Sequence, residues 1–294
     1  MRPRSLIAHY RARRDDIGDL LTRRPVPSPG VDQLDPFLFL NHHGPQVYPP
    51  HNHGLPFGPH PHRGFETVTF ILEGNLAHLD TGGHESVIEA GGVQWMTAGS
   101  GLIHAEISPD TFKRDGGPLE VLQLWVNLPS RLKMTPPRYT GLQADQLPTV
   151  QADAGRADVT VISGTWTDAG TQTDGPIVSL TGVQAMVLTL RPGATLAIPA
   201  QAAKQVFLYT VSGAVEIAGA TLPEHHLARI GDDGDTLTLQ TGAQSARLLL
   251  CLADPIGEPV VSHGPFVMNT REEIHQAIRD YQAGLFGNGL DHLG

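Results

Sequence analysis

Short apolar runs punctuated by glycine decide what this chain can become. FETVTFIL (65–72), GVQWMTA (92–98), LEVLQLWV (119–126), VQAMVLTL (183–190), QVFLYTV (205–211) and ARLLLCLA (246–253) are rich in β-branched and aromatic residues. Turn formers bound them, in a chain with 33 glycines and 24 prolines. Strands this short, at this spacing, predict an all-β protein of sandwich or barrel type. One helix is marked near the end. Thr270 and Glu273 have the spacing of a capping box. Ile274, Ala277, Ile278 and Tyr281 then share one helical face and Gly284 can close it, so a short C-terminal helix is expected over 271–283.

A length of 294 residues suggests two domains at about 150 residues each. NLPSRLKMTPPRYTGLQADQLPTV (127–150) is rich in proline and turn formers, which places a boundary near 145 and predicts domains 1–145 and 146–294. The halves echo one another. FILEGNL (70–76) resembles LYTVSGAV (208–215), and aligning Gly74 with Gly213 gives an offset of 139. Two copies of one β-unit fit that pattern.

Charge narrows the partners. A formal net charge of −10 argues against a general nucleic-acid binder, which needs clustered Lys and Arg. Residues 1–24 are the exception, with seven arginines against three aspartates. They read as a solvated or edge-covering segment, with a nucleic-acid or partner-binding arm as the alternative. The lone cysteine, Cys251, lies in an apolar run and is expected in the core. No apolar stretch is long enough for a membrane helix, and the start lacks the apolar core of a secretory signal, so a cytoplasmic location is expected.

Nine of the fifteen histidines fall between 42 and 104. Two pairs are informative. His60 and His62 flank Pro61, which holds His60 in extended backbone, where i and i+2 point the same way. His104 and Glu106 repeat that spacing in GLIHAEI (101–107). Two strands offering two donors each can converge on a metal inside a barrel. Glu66 shares strand parity with the first pair and is a rival carboxylate. His51 and His53 lie in a Pro/Gly-rich stretch and read as loop residues. His42 and His43 are adjacent, so only one can face a pocket, and the same holds for His225 and His226. Other chemistries lack their patterns: Gly99-x-Gly101 has no third glycine, there is no Gly-x-Ser-x-Gly, and His84-Glu85 has no following histidine.

HPHRGFETVTFILEG (60–74), GGVQWMTAGSGLIHAE (91–106), LQLWVNLP (122–129) and HGPFVMNTREEI (263–274) closely resemble the pirins, cupin-superfamily proteins with two β-barrel domains. The resemblance spans both halves. It implies a bicupin with one iron in the N-terminal barrel, held by His60, His62, His104 and Glu106, the last rather than Glu66 as the carboxylate. It implies a C-terminal barrel without ligands, and the offset of 139 sets Pro199 and Gln201 opposite His60 and His62. Several pirins resemble quercetin-cleaving dioxygenases; others act through protein partners, as transcriptional co-regulators or a modulator of pyruvate dehydrogenase. The segment 41–59 departs from the animal members, with its own histidines at the pocket mouth.

Imidazole and carboxylate donors suit Fe, Mn, Ni, Cu or Zn, and affinity order alone favours Cu. A closed zinc site usually recruits cysteines, and only Cys251 exists. Four ligands leave two octahedral positions open, as in non-haem iron oxygenases. The expected cofactor is therefore Fe(II), with Mn, Ni or Zn as substitutes on purification. The expected activity is oxygen-dependent cleavage of a flavonol or similar enol, with Glu106 taking the enol proton. The competing expectation is a redox-dependent regulatory protein that binds a protein partner. Because histidines must be neutral to bind, metal release is expected below roughly pH 5–6.

Overall fold

Each of the six apolar runs forms a strand, because β-branched and aromatic side chains pack well on a buried pleated face. The structure, a computed structural model, describes residues 2–168 and 170–290. The first elements are β1 (Leu6–Arg11), the two-residue β2 (Arg13–Arg14) and β3 (Thr22–Val26). The chain divides into two units, one of residues 14–22, 37–144 and 256–294 and the other of residues 1–13, 23–36 and 145–255.

The first unit contains β4 (Phe37–Tyr48), β5 (Phe57–His62), β6 (Phe65–Glu73), β7 (Asn75–Asp80), β8 (Glu85–Glu89), β9 (Val93–Thr97) and β10 (Leu102–Ile107). The short helix α1 (Asp110–Asp115), β11 (Gly117–Asn127) and β12 (Arg138–Leu142) follow. One antiparallel sheet runs β12-β9-β6-β11-β4 and a second runs β5-β10-β7-β8. Ile71, Leu76, Leu119 and Val121 are buried together in its core.

The second unit contains β13 (Thr149–Ala152), β14 (Ala157–Ser163), β15 (Thr165–Asp168), β16 (Thr171–Asp174), β17 (Gln184–Leu190) and β18 (Thr195–Pro199). It continues with β19 (Gln205–Ser212), β20 (Val215–Ile217), β21 (Ala220–Leu222), β22 (His226–Ile230), β23 (Thr236–Gln240) and β24 (Ala246–Ala253). Its sheets run β1-β22-β19-β24-β17-β14-β13 and β18-β23-β20-β21. The order β9-β6-β11-β4 thus reappears as β22-β19-β24-β17, and β5-β10-β7-β8 as β18-β23-β20-β21. Gly74 and Gly213 end the matching strands β6 and β19 with φ of +81° and +72°. A Cβ there would lie 2.5 Å from Pro118 O and 2.1 Å from Ser245 O, so both turns demand glycine. The internal repeat is therefore structural.

The chain ends do not follow a single cut at 145. β1 adds to the edge of the second unit by pairing with β22, with Leu6 opposite Ile230. The buried Arg4 guanidinium donates to the carbonyls of Gly231, Gln201 and Lys204. The first of the basic residues thus cover an edge. At the other end, β25 (Val261–His263), β26 (Phe266–Met268) and α2 (Arg271–Gln282) belong to the first unit. Phe266, Met268, Ile274 and Ala277 are buried in one cluster, while Tyr281 is 39% exposed at the edge of the helical face. Thr270 caps α2 in a complete capping box with Glu273. Cys251 is fully buried in β24, and burial pushes its thiol pKa up. No helix among the described residues is long and apolar enough to cross a membrane.

Candidate metal centre

His60 and His62 come from β5 and His104 and Glu106 from β10, which pair antiparallel with His104 opposite His60. The register slips between His104 and Glu106, a bulge of the kind that re-aims side chains. The three imidazoles converge. Their ring centroids lie 4.8 Å (His60–His62), 4.4 Å (His60–His104) and 5.0 Å (His62–His104) apart. One ring nitrogen from each falls within 4.8 Å of the other two, the only such trio of candidate ligands among the described residues.

Hydrogen bonds set which nitrogen faces inward. His60 Nδ1 lies 2.8 Å from Gly58 O, and His62 Nδ1 lies 3.2 Å from Pro265 O. A carbonyl only accepts, so each Nδ1 carries the proton and each Nε2 keeps its lone pair, the arrangement of a metal-ligating histidine. His104 is 1% exposed, and neither of its ring nitrogens has a hydrogen-bond partner among the described residues. Buried polar atoms are rarely left so, and a metal would satisfy one of these. Burial, with repulsion from His60, pulls the His62 pKa down to about 3, partly opposed by the Pro265 carbonyl. His104 is pulled well below its ordinary value by burial and by its histidine neighbours. Both are held neutral, as ligation requires.

Glu106 is buried beside them, with Oε2 4.0 Å from His104 Nε2. Thr69 Oγ1 donates to its Oε1 at 2.9 Å, and the Gln123 amide donates to Oε2. Both oxygens act as acceptors, so the carboxyl group is held in place from two sides. Glu66 does not compete. Its strand parity with His62 is broken at Gly64, where φ is +90° between β5 and β6. Thr69 reaches Glu106, so Glu66, three residues earlier on β6, faces the opposite side. There its Oε1 accepts from Thr97 at 2.7 Å, and burial raises its pKa.

The other histidines stand outside the trio, although His78 packs beside it with its ring 5.4 Å from that of His104. His42 Nε2 pairs with Glu120 Oε1 at 2.9 Å, while its neighbour His43 lines a small cavity with Glu106 and Gln123. That cavity measures about 10 Å³. His51 and His53 are exposed. His78 stacks on Tyr139 at 3.9 Å and bonds Asp80 at 3.0 Å.

The equivalent places in the second unit are apolar. Ile198 pairs with Leu237 and Leu196 with Leu239 across β18 and β23, and all four are buried. Pro199 and Gln201 are exposed instead, so the offset of 139 does not carry across this strand. Two residues separate β5 from β6, but five separate β18 from β19, which shifts the register.

Comparison with known proteins agrees with this layout. The family model described as Pirin matches residues 20–126, and that described as Pirin C-terminal cupin domain matches residues 185–287. A pirin-like protein of Caulobacter vibrioides is 41% identical over 274 residues, spanning 92% of this chain and 94% of the relative. The chain belongs to the pirin family. Its two barrels are the two cupin domains of a pirin. A pirin-like protein of Solanum lycopersicum is 37% identical over 290 residues, covering 97% of this chain and 94% of the relative. A crystal structure named quercetin 2,3-dioxygenase from Acinetobacter baumannii superposes with a TM-score of 0.89 at 31% identity, over 97% of this chain and 99% of that one.

Several contributors to this pirin site escape sequence reasoning. Gln123 carried a signal, as the one amide inside the apolar run LEVLQLWV. Thr69 is a good strand former and carried none. Phe65 and Trp125 wall His62, with ring centroids 5.0 Å and 5.3 Å away. The Pro265 carbonyl comes from over 200 residues downstream and had no local signature.

Proposed function

We propose that this chain is an oxygen-dependent oxidoreductase of the quercetin 2,3-dioxygenase type, with Fe(II) held by His60, His62, His104 and Glu106. The observation that carries this reading is the convergence of three imidazoles, two of them buried, beside a carboxylate whose two oxygens already hold hydrogen bonds. The name of the Acinetobacter baumannii relative supports the substrate class. Three nitrogen donors and one oxygen donor without thiolate suit iron over a closed zinc site. When bound, Fe(II) supplies Lewis acidity and open coordination positions.

The protein side of the chemistry falls to Glu106. Thr69 and Gln123 fix its carboxylate, so that one oxygen is placed to take the 3-hydroxyl proton of a flavonol. The deprotonated enol is the form that reacts with dioxygen. Ring opening then takes up O2 and releases carbon monoxide. Phe65 and Trp125 keep water from the His62 side. The space behind Glu106 holds about one water, so the flavonol approaches from the side of the half-exposed His60.

The test is incubation of the iron-loaded protein with quercetin, with and without oxygen. Loss of flavonol absorbance together with carbon monoxide release is expected only when both metal and oxygen are present. Loss that needs neither, or no loss at all, refutes the proposal.

A further inference from the structure

The first unit buries an ammonium group that the metal chemistry does not use. Lys133 is 1% exposed. Its Nζ donates to Gly64 O at 2.9 Å, Asn127 Oδ1 at 2.8 Å and Val267 O at 3.0 Å. All three donors are used, and every acceptor is uncharged. The other two lysines, Lys113 and Lys204, are half-buried and pair with Asp110 and Asp254. A fully buried lysine is rare unless paired with a carboxylate, because removing the charge from water is costly. Burial accordingly pulls the Lys133 pKa down to about 8, partly opposed by Glu258 and Glu273.

The three acceptors lie on different parts of the chain, and two of them flank His62. Gly64 follows His62 by two residues. Val267, in β26, follows Pro265 by two residues, and the Pro265 carbonyl accepts from His62 Nδ1 at 3.2 Å. Val267 N also donates to Arg63 O at 3.1 Å. Asn127, the last residue of β11, holds the ammonium from a third side. Without that ammonium, Gly64 O and Val267 O are two buried acceptors of like partial charge facing one emptied space. Their repulsion draws β26, and Pro265 with it, away from His62. At 3.2 Å the His62–Pro265 bond is already at the long end of the ordinary range, so a small retreat breaks it.

We propose that Lys133 is a positioning residue for the metal centre. By clamping Gly64 O and Val267 O together, it keeps the Pro265 carbonyl on His62 Nδ1 and leaves His62 Nε2 to face the metal. This rests on the proposed role of His62 as a ligand, and not on which reaction the metal supports.

The test compares wild type with Lys133→Met, which removes the charge and keeps an unbranched apolar stem. In the metal-free full chain, the 15N shifts of the imidazole nitrogens report the tautomer, and His62→Gln assigns the His62 pair. Wild type should show His62 protonated at Nδ1 alone, and Lys133→Met a mixture of both tautomers. Co(II) affinity, read by competition with a chromophoric chelator, should fall about 10–100-fold in Lys133→Met. Val206→Ala, which opens a cavity in the core of the second unit, is the control for lost stability. It should leave both the His62 tautomer and the Co(II) affinity unchanged. If Lys133→Met does not fold, wild type is followed from pH 7 to pH 9 without metal. Neutral amine donors are roughly half as strong as charged ones, so the His62 nitrogen shifts should move with a midpoint near pH 8. His62 itself, with a pKa of about 3, stays neutral across that window. The charges acting on Lys133 are those of Glu258 and Glu273, and carboxylates do not titrate there. The proposal is overturned by an unchanged tautomer and affinity in Lys133→Met, by equal changes in Val206→Ala, or by His62 shifts that stay flat to pH 9. Failure to cleave a flavonol would leave all of these outcomes as they are.

Discussion

Gly64→Ala should loosen the metal site from behind. Gly64 sits at φ +90°, two residues after His62. A Cβ there would lie 2.0 Å from Val267 O and 2.8 Å from Met268 Sδ, whereas ordinary contact begins near 3.4 Å. The β26 backbone must therefore retreat by about 1.4 Å, the difference of those two distances. Three hydrogen bonds span that gap. Val267 N donates to Arg63 O at 3.1 Å, the buried Lys133 Nζ donates to Val267 O at 3.0 Å, and His62 Nδ1 donates to Pro265 O at 3.2 Å. At about 1 kcal/mol for each bond, with about 1–2 kcal/mol for alanine in the left-handed region, the variant should lose roughly 4–5 kcal/mol. That corresponds to a Tm lower by roughly 10 °C or more. Metal affinity should fall about 10–100-fold, because the carbonyl that orients His62 is displaced. Calorimetry and anaerobic competition with a chromophoric chelator measure the two effects. Gly58→Ala is the control, since its added Cβ meets no heavy atom within 4 Å. Wild-type stability and affinity in Gly64→Ala, or equal losses in both variants, would refute the reasoning.

Further outcomes follow from the same geometry. His104→Ala should abolish metal binding while His225→Ala, in the other unit, retains it, as metal analysis after dialysis will show; equal loss in both contradicts the site. Acid should destabilise the metal-free protein. Folded His62 stays neutral down to about pH 3, and His104 is also depressed, while the unfolded chain takes up protons below about pH 6.5. Stability is thus full above that pH, and Tm should drop steadily as pH falls from 6.5 towards 3; a flat Tm contradicts it. The same depression moves metal release below the pH 5–6 that unperturbed histidines imply, which a titration of bound metal checks. Thr270→Ala removes one half of the capping box on α2 and should cost about 1 kcal/mol, read as a Tm shift of about 2–4 °C.

The fold was largely legible because burial and β propensity agree along each apolar run. LEVLQLWV lies within β11 and QVFLYTV within β19, with little polar interruption to blur them. The helix was legible because Thr270 and Glu273 are close in sequence and act locally. Gly74 and Gly213 exposed the repeat because each is pinned by a carbonyl that no side chain could tolerate. Long-range pairing was not legible. Nothing in Leu6–Arg11 names β22 as its partner, and nothing in residues 256–290 names the barrel of His62. Parity reasoning held within a strand, for His60 with His62, and failed across Gly64, where it misplaced Glu66. An offset fixed at one turn also failed at Pro199 and Gln201, beyond a connection of different length. The supports of the site came from strands whose polar members look ordinary in isolation, Thr69 most of all.

The most direct measurement is X-ray absorption at the iron edge on protein reconstituted with Fe(II), with metal content determined on the same sample. One iron per chain with three imidazole nitrogens and a carboxylate oxygen, lost in His104→Ala, is the predicted result. Iron that survives His104→Ala, or a shell without histidine, would contradict it.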